Sequence, residues 1–132
     1  MTQAWNKAFF TVAALFNWVV GAVIILDPAL LMNMFSVTPL PEQSSLIRLG
    51  GLLVLFYGTG YYWAAGDLRA NAQVIRLGAW AKMGVFSLGV TEVMLGNISW
   101  QFLILVSADL AFALLFLRAL GDLASKNSSI LN

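Results

Sequence analysis

The stretch at residues 74–96 constrains the fold more than any other part of the chain. Its sequence, VIRLGAWAKMGVFSLGVTEVMLG, is long enough to cross a bilayer, which takes about 20 apolar residues, yet it contains Lys82 and Glu92. Steps of four and three residues return to the same side of a helix. Such steps relate Gly78, Lys82, Val85, Gly89, Glu92 and Gly96. Since a charge exposed to lipid is costly, we expect this side of the helix to face protein.

The composition of the chain indicates a membrane environment. Of its 132 residues, 61% are hydrophobic and 10% are charged, whereas soluble domains are about 45–50% apolar and about 25% charged. A soluble domain of this size leaves roughly a third of its surface in water, so it cannot bury the excess. We therefore expect membrane lipid to cover the apolar residues. The length fits one domain, residues 1–132.

Four segments have the length and composition of membrane spans. They are residues 8–26, 46–65, 74–96 and 100–120. Short connections between them predict an all-α fold, a transmembrane antiparallel four-helix bundle. Asp27 followed by Pro28 is a helix-start signal, so a short interfacial helix is predicted between spans one and two; the alternative is an ordered loop packed on the bundle end. Pro39 and Pro41 are expected to end regular structure there.

The distribution of basic residues predicts the orientation of the spans. One side carries Lys7, Arg69, Arg76, Arg118 and Lys126. The opposite loops carry Asp27 and Glu42. Because basic residues favour the cytoplasmic side of a membrane, both termini are predicted to be cytoplasmic. The polar tail from Ser125 onward is expected to be frayed.

Each predicted span carries one polar group at a similar depth. At 1.5 Å of rise per residue, all four groups lie roughly 12 to 16 Å from the cytoplasmic ends of their helices. They are Asn17, Tyr57, Lys82 and Asp109. A charge at the bilayer centre costs at least ~2.5–3.5 kcal/mol, so we expect Lys82 and Asp109 to pair. Arg48 and Glu92 lie nearer the outer face and are predicted to form a second ion pair.

These charges allow two interpretations. In the first, the ion pairs are structural and fix the order and register of the helices. In the second, the layer of four polar groups is a proton relay or a binding site for a polar head group. The one-to-one balance of charges favours the structural interpretation.

Several classes of function are excluded by residue content. The chain has no Cys and no His, which removes thiol catalysis, zinc sites with these ligands and His-ligated haem. Glu92 and Asp109 are the only carboxylates within the spans and differ in depth, so we predict no metal site, no cofactor and no catalytic residue. A net charge of +1 without a basic block argues against a nucleic-acid partner. Tyr61, Tyr62 and Trp63 are candidate contacts for a lipid or quinone, with simple packing as the alternative.

Several motifs resemble a group of small bacterial four-span membrane proteins that have no assigned activity. The resemblance rests on YGTGYYWAAGD at residues 57–67, on Gly78 followed by Lys82, on GNISW at residues 96–100, and on Asp109 ahead of an aromatic-rich end. It implies four spans in a bacterial membrane, here the inner membrane, and no particular chemistry. A looser similarity in size and number of spans links the chain to DoxX-like membrane proteins, some of which are associated with quinone-dependent sulfur oxidation.

The sequence favours a non-catalytic accessory or scaffold subunit of a membrane complex. Glycine-rich helix sides and small extramembrane parts indicate that its partners are other membrane proteins or further copies of itself. One alternative is a small proton-coupled transporter or carrier that uses the mid-membrane layer. The second alternative is a redox helper that binds a quinone or a lipid.

Overall fold

The computed structural model describes residues 2–37 and 44–130, with side chains up to residue 126. Within these residues the chain is all-helical, as predicted. The helices are α1 (Gln3–Leu26), α2 (Pro28–Met34), α3 (Ser45–Gly66), α4 (Ala72–Met94) and α5 (Phe102–Ile130). The predicted break at Pro39 and Pro41, and the loop residue Glu42, lie outside the described residues.

The helix boundaries differ from the prediction mainly at the C-terminal end. The short helix after α1 is present, and the Asp27 carboxylate caps it by accepting a hydrogen bond from Leu30 N at 3.1 Å. Helix α5 continues to Ile130, ten residues beyond the predicted end of its span. The expectation of a frayed tail is therefore wrong as far as Ile130. No Gly or Pro follows Gly121, so no helix-ending residue interrupts α5.

Two helices are long and apolar enough to cross a membrane. They are α1 over its whole length and α5 over Phe102–Lys126. Helices α3 and α4 have similar lengths but contain more glycine. Helix α3 also carries three tyrosines, and α4 carries Arg76 and Lys82. Their apolar character is correspondingly weaker.

Helices α1 and α3 approach closely because glycines lie at their contact. A Cβ atom at Gly21 of α1 would lie 2.8 Å from the carbonyl oxygen of Gly51 in α3. Two turns further along α3, a Cβ atom at Gly58 would lie 2.7 Å from the Trp18 indole. Trp18 of α1 lies against Gly58 of α3, and Gly21 of α1 lies against Gly51 of α3. Residue numbers therefore rise along α1 while they fall along α3, so the two helices are antiparallel. Small residues let the helix backbones meet in this way.

Helices α4 and α5 form a second antiparallel pair. Gly89 of α4 faces Val106 of α5, where a Cβ atom would lie 2.9 Å from the valine side chain. Closer to the other end of α4, Lys82 contacts Asp109. Helices α3 and α4 meet near their own connection, where a Cβ atom at Gly78 would lie 2.6 Å from the ring of Tyr61.

The two helix pairs share one core in the half of the molecule near the α3–α4 connection. All four long helices contribute fully or almost fully buried side chains to it. Its members are Phe10, Ala13, Ala14, Tyr61, Ala64, Ala65, Ile75, Ala79, Phe116 and Ala119. Aromatic rings cross between the pairs: the centroid of Phe116 lies 5.3 Å from that of Phe10 and 4.8 Å from that of Tyr61. Aromatic pairs at such distances contribute about 0.5–1.5 kcal/mol beyond their burial.

The contact between α1 and α3 yields a matched pair of glycine substitutions. Gly21→Ala places a methyl group against backbone atoms of α3, so the helices must separate, and we expect a loss of about 1–3 kcal/mol in stability. Gly50→Ala meets no atom within 4 Å, and it should be neutral or stabilise the helix by up to about 1 kcal/mol. Unfolding of the detergent-solubilised protein, followed by circular dichroism, measures both. Equal stability of the two variants would contradict the close contact.

Candidate functional site

A buried ion pair between α4 and α5 lies at the centre of the candidate site. Lys82 Nζ is 2.5 Å from Asp109 Oδ1, and the two side chains are 6% and 16% exposed. Helix α4 positions Lys82 on the same side as Gly78 and Gly89, which are both buried. The contact between Lys82 and Asp109, which are 27 positions apart in sequence, is the one predicted from the rise of a helix.

Asn17 connects this ion pair to the other pair of helices. Its Oδ1 accepts a hydrogen bond from Lys82 Nζ at 3.2 Å, and its Nδ2 donates to the carbonyl oxygen of Val54 at 3.1 Å. The carboxamide is thereby fixed at both ends, with its oxygen towards the cation. The polar cluster Asn17–Lys82–Asp109 therefore contacts all four long helices.

Tyr57, the fourth residue of the predicted layer, occupies a different position. It lies in the wall of the cavity next to the cluster, and its ring centroid is 6.2 Å from that of Tyr61. Among the described residues, its hydroxyl has no hydrogen bond to the other three groups. Tyr57 therefore lies beside the polar cluster but is not bonded to it, so the predicted layer of four groups is reduced to a cluster of three.

Three aromatic rings lie close to the ammonium group of Lys82. Lys82 Nζ lies 5.7 Å from the ring centroid of Phe16, 5.6 Å from that of Tyr61 and 5.2 Å from that of Phe112. Rings at this distance attract a cation through their negative faces. Sequence reasoning missed the roles of Phe16 and Phe112. The available signal was that Phe112 is three residues from Asp109, one helical turn away.

A cavity of about 490 Å³ leads from the polar cluster towards α2. Asn17, Lys82 and Asp109 line its inner end. Its walls are otherwise almost entirely apolar and include Val20, Ile24, Val54, Val85, Leu105 and Val106. Side chains of α2 complete the end remote from the ion pair, among them Leu31 and Met32. Small-molecule sites are commonly cavities of this size, with apolar walls and a few polar groups.

The cavity occupies the space where α3 and α4 diverge. These helices touch near their connection, at Tyr61 and Gly78, and the cavity lies on the other side of the polar cluster. Two residues that line it, Leu53 of α3 and Val85 of α4, are 63% and 47% exposed. We infer that the cavity is open laterally, between α3 and α4.

The predicted ion pair between Arg48 and Glu92 is not formed. Arg48 instead donates to the carbonyl oxygen of Ile25 in the last turn of α1, and to Ser44 Oγ at 3.3 Å. The end of a helix exposes unpaired carbonyl groups and attracts a cation, and α1 is the close neighbour of α3. Glu92 Oε2 accepts a hydrogen bond from Asn97 Nδ2 at 2.7 Å, in the turn that follows α4. Similar depth was therefore a poor guide to ion pairing, because Arg48 bonds to the end of α1 and Glu92 bonds to the turn after α4.

The predicted contact surface of Tyr61, Tyr62 and Trp63 is also not formed as one surface. Tyr61 is buried and lines the cavity, whereas Tyr62 and Trp63 are more than half exposed and lie outside it. Successive helix residues point about 100° apart, since a turn contains 3.6 residues. Three consecutive residues consequently cannot line one narrow groove.

The ion pair is tested by neutralising its members separately and together. Lys82→Met or Asp109→Leu leaves one buried charge without its partner, and each should cost about 3–5 kcal/mol in stability. The double variant Lys82→Met/Asp109→Leu removes both charges and should recover most of that loss. Unfolding free energies of the four proteins in detergent give the coupling. A double variant as unstable as the sum of the single variants would rule out the pairing.

Comparison with known proteins identified no relative. No family model, characterised protein or solved structure matches the chain. The resemblance to small bacterial four-span membrane proteins accordingly stays a prediction, and the function must be argued from the site itself.

Proposed function

We propose that this protein is a four-span membrane protein that binds an amphipathic small molecule, such as a lipid or a quinone, in the cavity beside Lys82 and Asp109. One observation carries the proposal: an apolar-walled cavity ends on a buried, hydrogen-bonded ion pair. The apolar walls suit a hydrocarbon tail, and the polar cluster suits a head group. Of the functions considered from the sequence, this is the lipid- or quinone-binding alternative.

The exposed surfaces of α3 and α4 support the four-span arrangement. Large apolar side chains are exposed along both helices, including Leu49, Phe56, Leu77, Trp80 and Leu88. Contiguous apolar surface of this kind is not stable in water. Each helix also runs antiparallel to a helix that is apolar enough to span, α3 beside α1 and α4 beside α5. On this proposal lipid covers the outer surfaces, and both termini lie in the cytoplasm.

The closed core argues for binding rather than transport. A carrier needs access to its site from both ends of the spans. On the side of the polar cluster away from the cavity, Phe10, Ala79 and Phe116 are completely buried. This packing leaves the cavity with one closed end. If the protein were only a scaffold subunit, a cavity that ends at two buried ions would have no role.

The absence of native cysteine makes the orientation directly testable. We expect single cysteines at Gln3 and Ala70 to react with a membrane-impermeant thiol reagent only after the cells are permeabilised. A cysteine at Asn97, between α4 and α5, should react in intact cells. If Ala70→Cys and Asn97→Cys react from the same side, α4 does not cross the membrane and the four-span arrangement is wrong.

Two neighbouring valines of α1 provide a test of the cavity. Val20 lines the cavity, whereas Val19 is 62% exposed on the outer surface. Val20→Trp should fill the space and abolish most ligand labelling, and Val19→Trp should leave labelling unchanged. Labelling is measured in lipid vesicles with diazirine-bearing amphiphiles of one alkyl chain that carry a hydroxyl, a carboxylate or a trimethylammonium head group. Labelled positions are then mapped by mass spectrometry.

The labelling results decide whether the cavity binds an amphiphile. At least one of the three amphiphiles should label cavity residues such as Val54 or Leu105 in the unmodified protein. If none does, or if Val20→Trp labels as strongly as Val19→Trp, the cavity is not a binding site.

A further inference from the structure

The hydrogen-bonding capacity of the polar cluster is only partly used. An ammonium group has three donors, and Lys82 Nζ directs two of them to Asn17 Oδ1 and Asp109 Oδ1. The carboxylate of Asp109 has a second oxygen, and within the described part of the chain no group donates to it. The cluster thus offers a ligand one donor and one strong acceptor, side by side.

The exposure of the two ions indicates which of them is more accessible to a ligand. Both side chains line the cavity, but that of Asp109 is 16% exposed and that of Lys82 only 6%. The rings of Phe16, Tyr61 and Phe112 also lie within 5.7 Å of the ammonium group. The acceptor is consequently the more accessible half of the cluster, and a ligand that donates a hydrogen bond gains most from it.

The charge balance of the cavity restricts the ligand further. Among the described residues, Lys82 and Asp109 are the only charged side chains that line it, and their charges cancel. A ligand that brought a net charge into these apolar surroundings would have no counter-ion there, and burial of an unpaired charge is strongly unfavourable. The site therefore favours a neutral head group.

On the basis of the binding function proposed above, we infer that the cavity selects an uncharged amphiphile with a hydroxyl head group. The hydroxyl donates its hydrogen to the free carboxylate oxygen of Asp109 and accepts from the third N–H of Lys82. The alkyl or aromatic body lies along Val54, Val85 and Leu105. Alcohols, phenols and hydroquinones belong to this class. Ethers and oxidised quinones can only accept hydrogen bonds and use only half of the cluster.

The inference is tested by competition against the diazirine-bearing alcohol in vesicles. Four competitors share one alkyl chain and differ in the head group: the alcohol, its methyl ether, the carboxylate and the trimethylammonium salt. A hydrogen bond to a charged group contributes more than a neutral one, so the alcohol should compete at a concentration about ten-fold or more below that of the ether. The two charged amphiphiles should compete less well than the alcohol.

The variant Lys82→Met/Asp109→Leu serves as the matched control, because its cavity keeps apolar walls and loses both ions, while Asn17 stays. In this variant the advantage of the alcohol over the ether should fall well below ten-fold, because only the neutral acceptor Asn17 Oδ1 remains. Should the variant fail to fold, the competition on the unmodified protein decides alone. Equal competition by alcohol and ether there, or stronger competition by either charged amphiphile, would overturn the inference while the binding function stands. Loss of all cavity labelling would remove the binding function instead.

Discussion

An ion pair enclosed by apolar side chains can persist only if each charge is balanced by an opposite charge or by hydrogen bonds. Lys82 and Asp109 meet this condition through their contact with each other and through Asn17, whose carboxamide is itself held by the backbone of α3. The arrangement links α4 and α5 to α1 and α3. Sliding any one of these helices by one turn, about 5.4 Å, would break the cluster. Register between the two helix pairs thus depends on three side chains.

The cluster also separates two halves of the molecule that differ in packing. On one side, alanines and glycines bring the helices together and aromatic rings fill the remaining space. On the other side, α3 and α4 diverge, and the gap is bordered by branched aliphatic side chains and by α2. Interiors of proteins are normally packed without large voids. The void next to the buried ion pair of Lys82 and Asp109 is therefore the main support for the proposed binding site.

Much of this arrangement could be predicted from residue spacing. The four long helices followed from apolar length, the short α2 from Asp27 and Pro28, and the contact of Lys82 with Asp109 from the fixed rise of a helix. Features that depend on side-chain direction could not be predicted in this way. Arg48 and Glu92 were matched by depth, yet each side chain bonds to a group close by in the fold. Tyr57 lies in the cavity wall and is not bonded to the other three polar groups. The cavity could not be predicted either, because it arises where whole helices diverge and no short sequence pattern specifies that divergence.

Helix α2 has a consequence for how the cavity exchanges its contents. It follows α1 after the single residue Asp27, its first residue Pro28 is buried, and it closes the end of the cavity remote from the ion pair. The open side faces outward between α3 and α4, which on the proposed arrangement is the hydrocarbon phase. A ligand would then arrive by diffusion in the plane of the bilayer rather than from water. Occupancy would follow the mole fraction of the ligand among the lipids, so that a weakly held but abundant membrane component could keep the site filled.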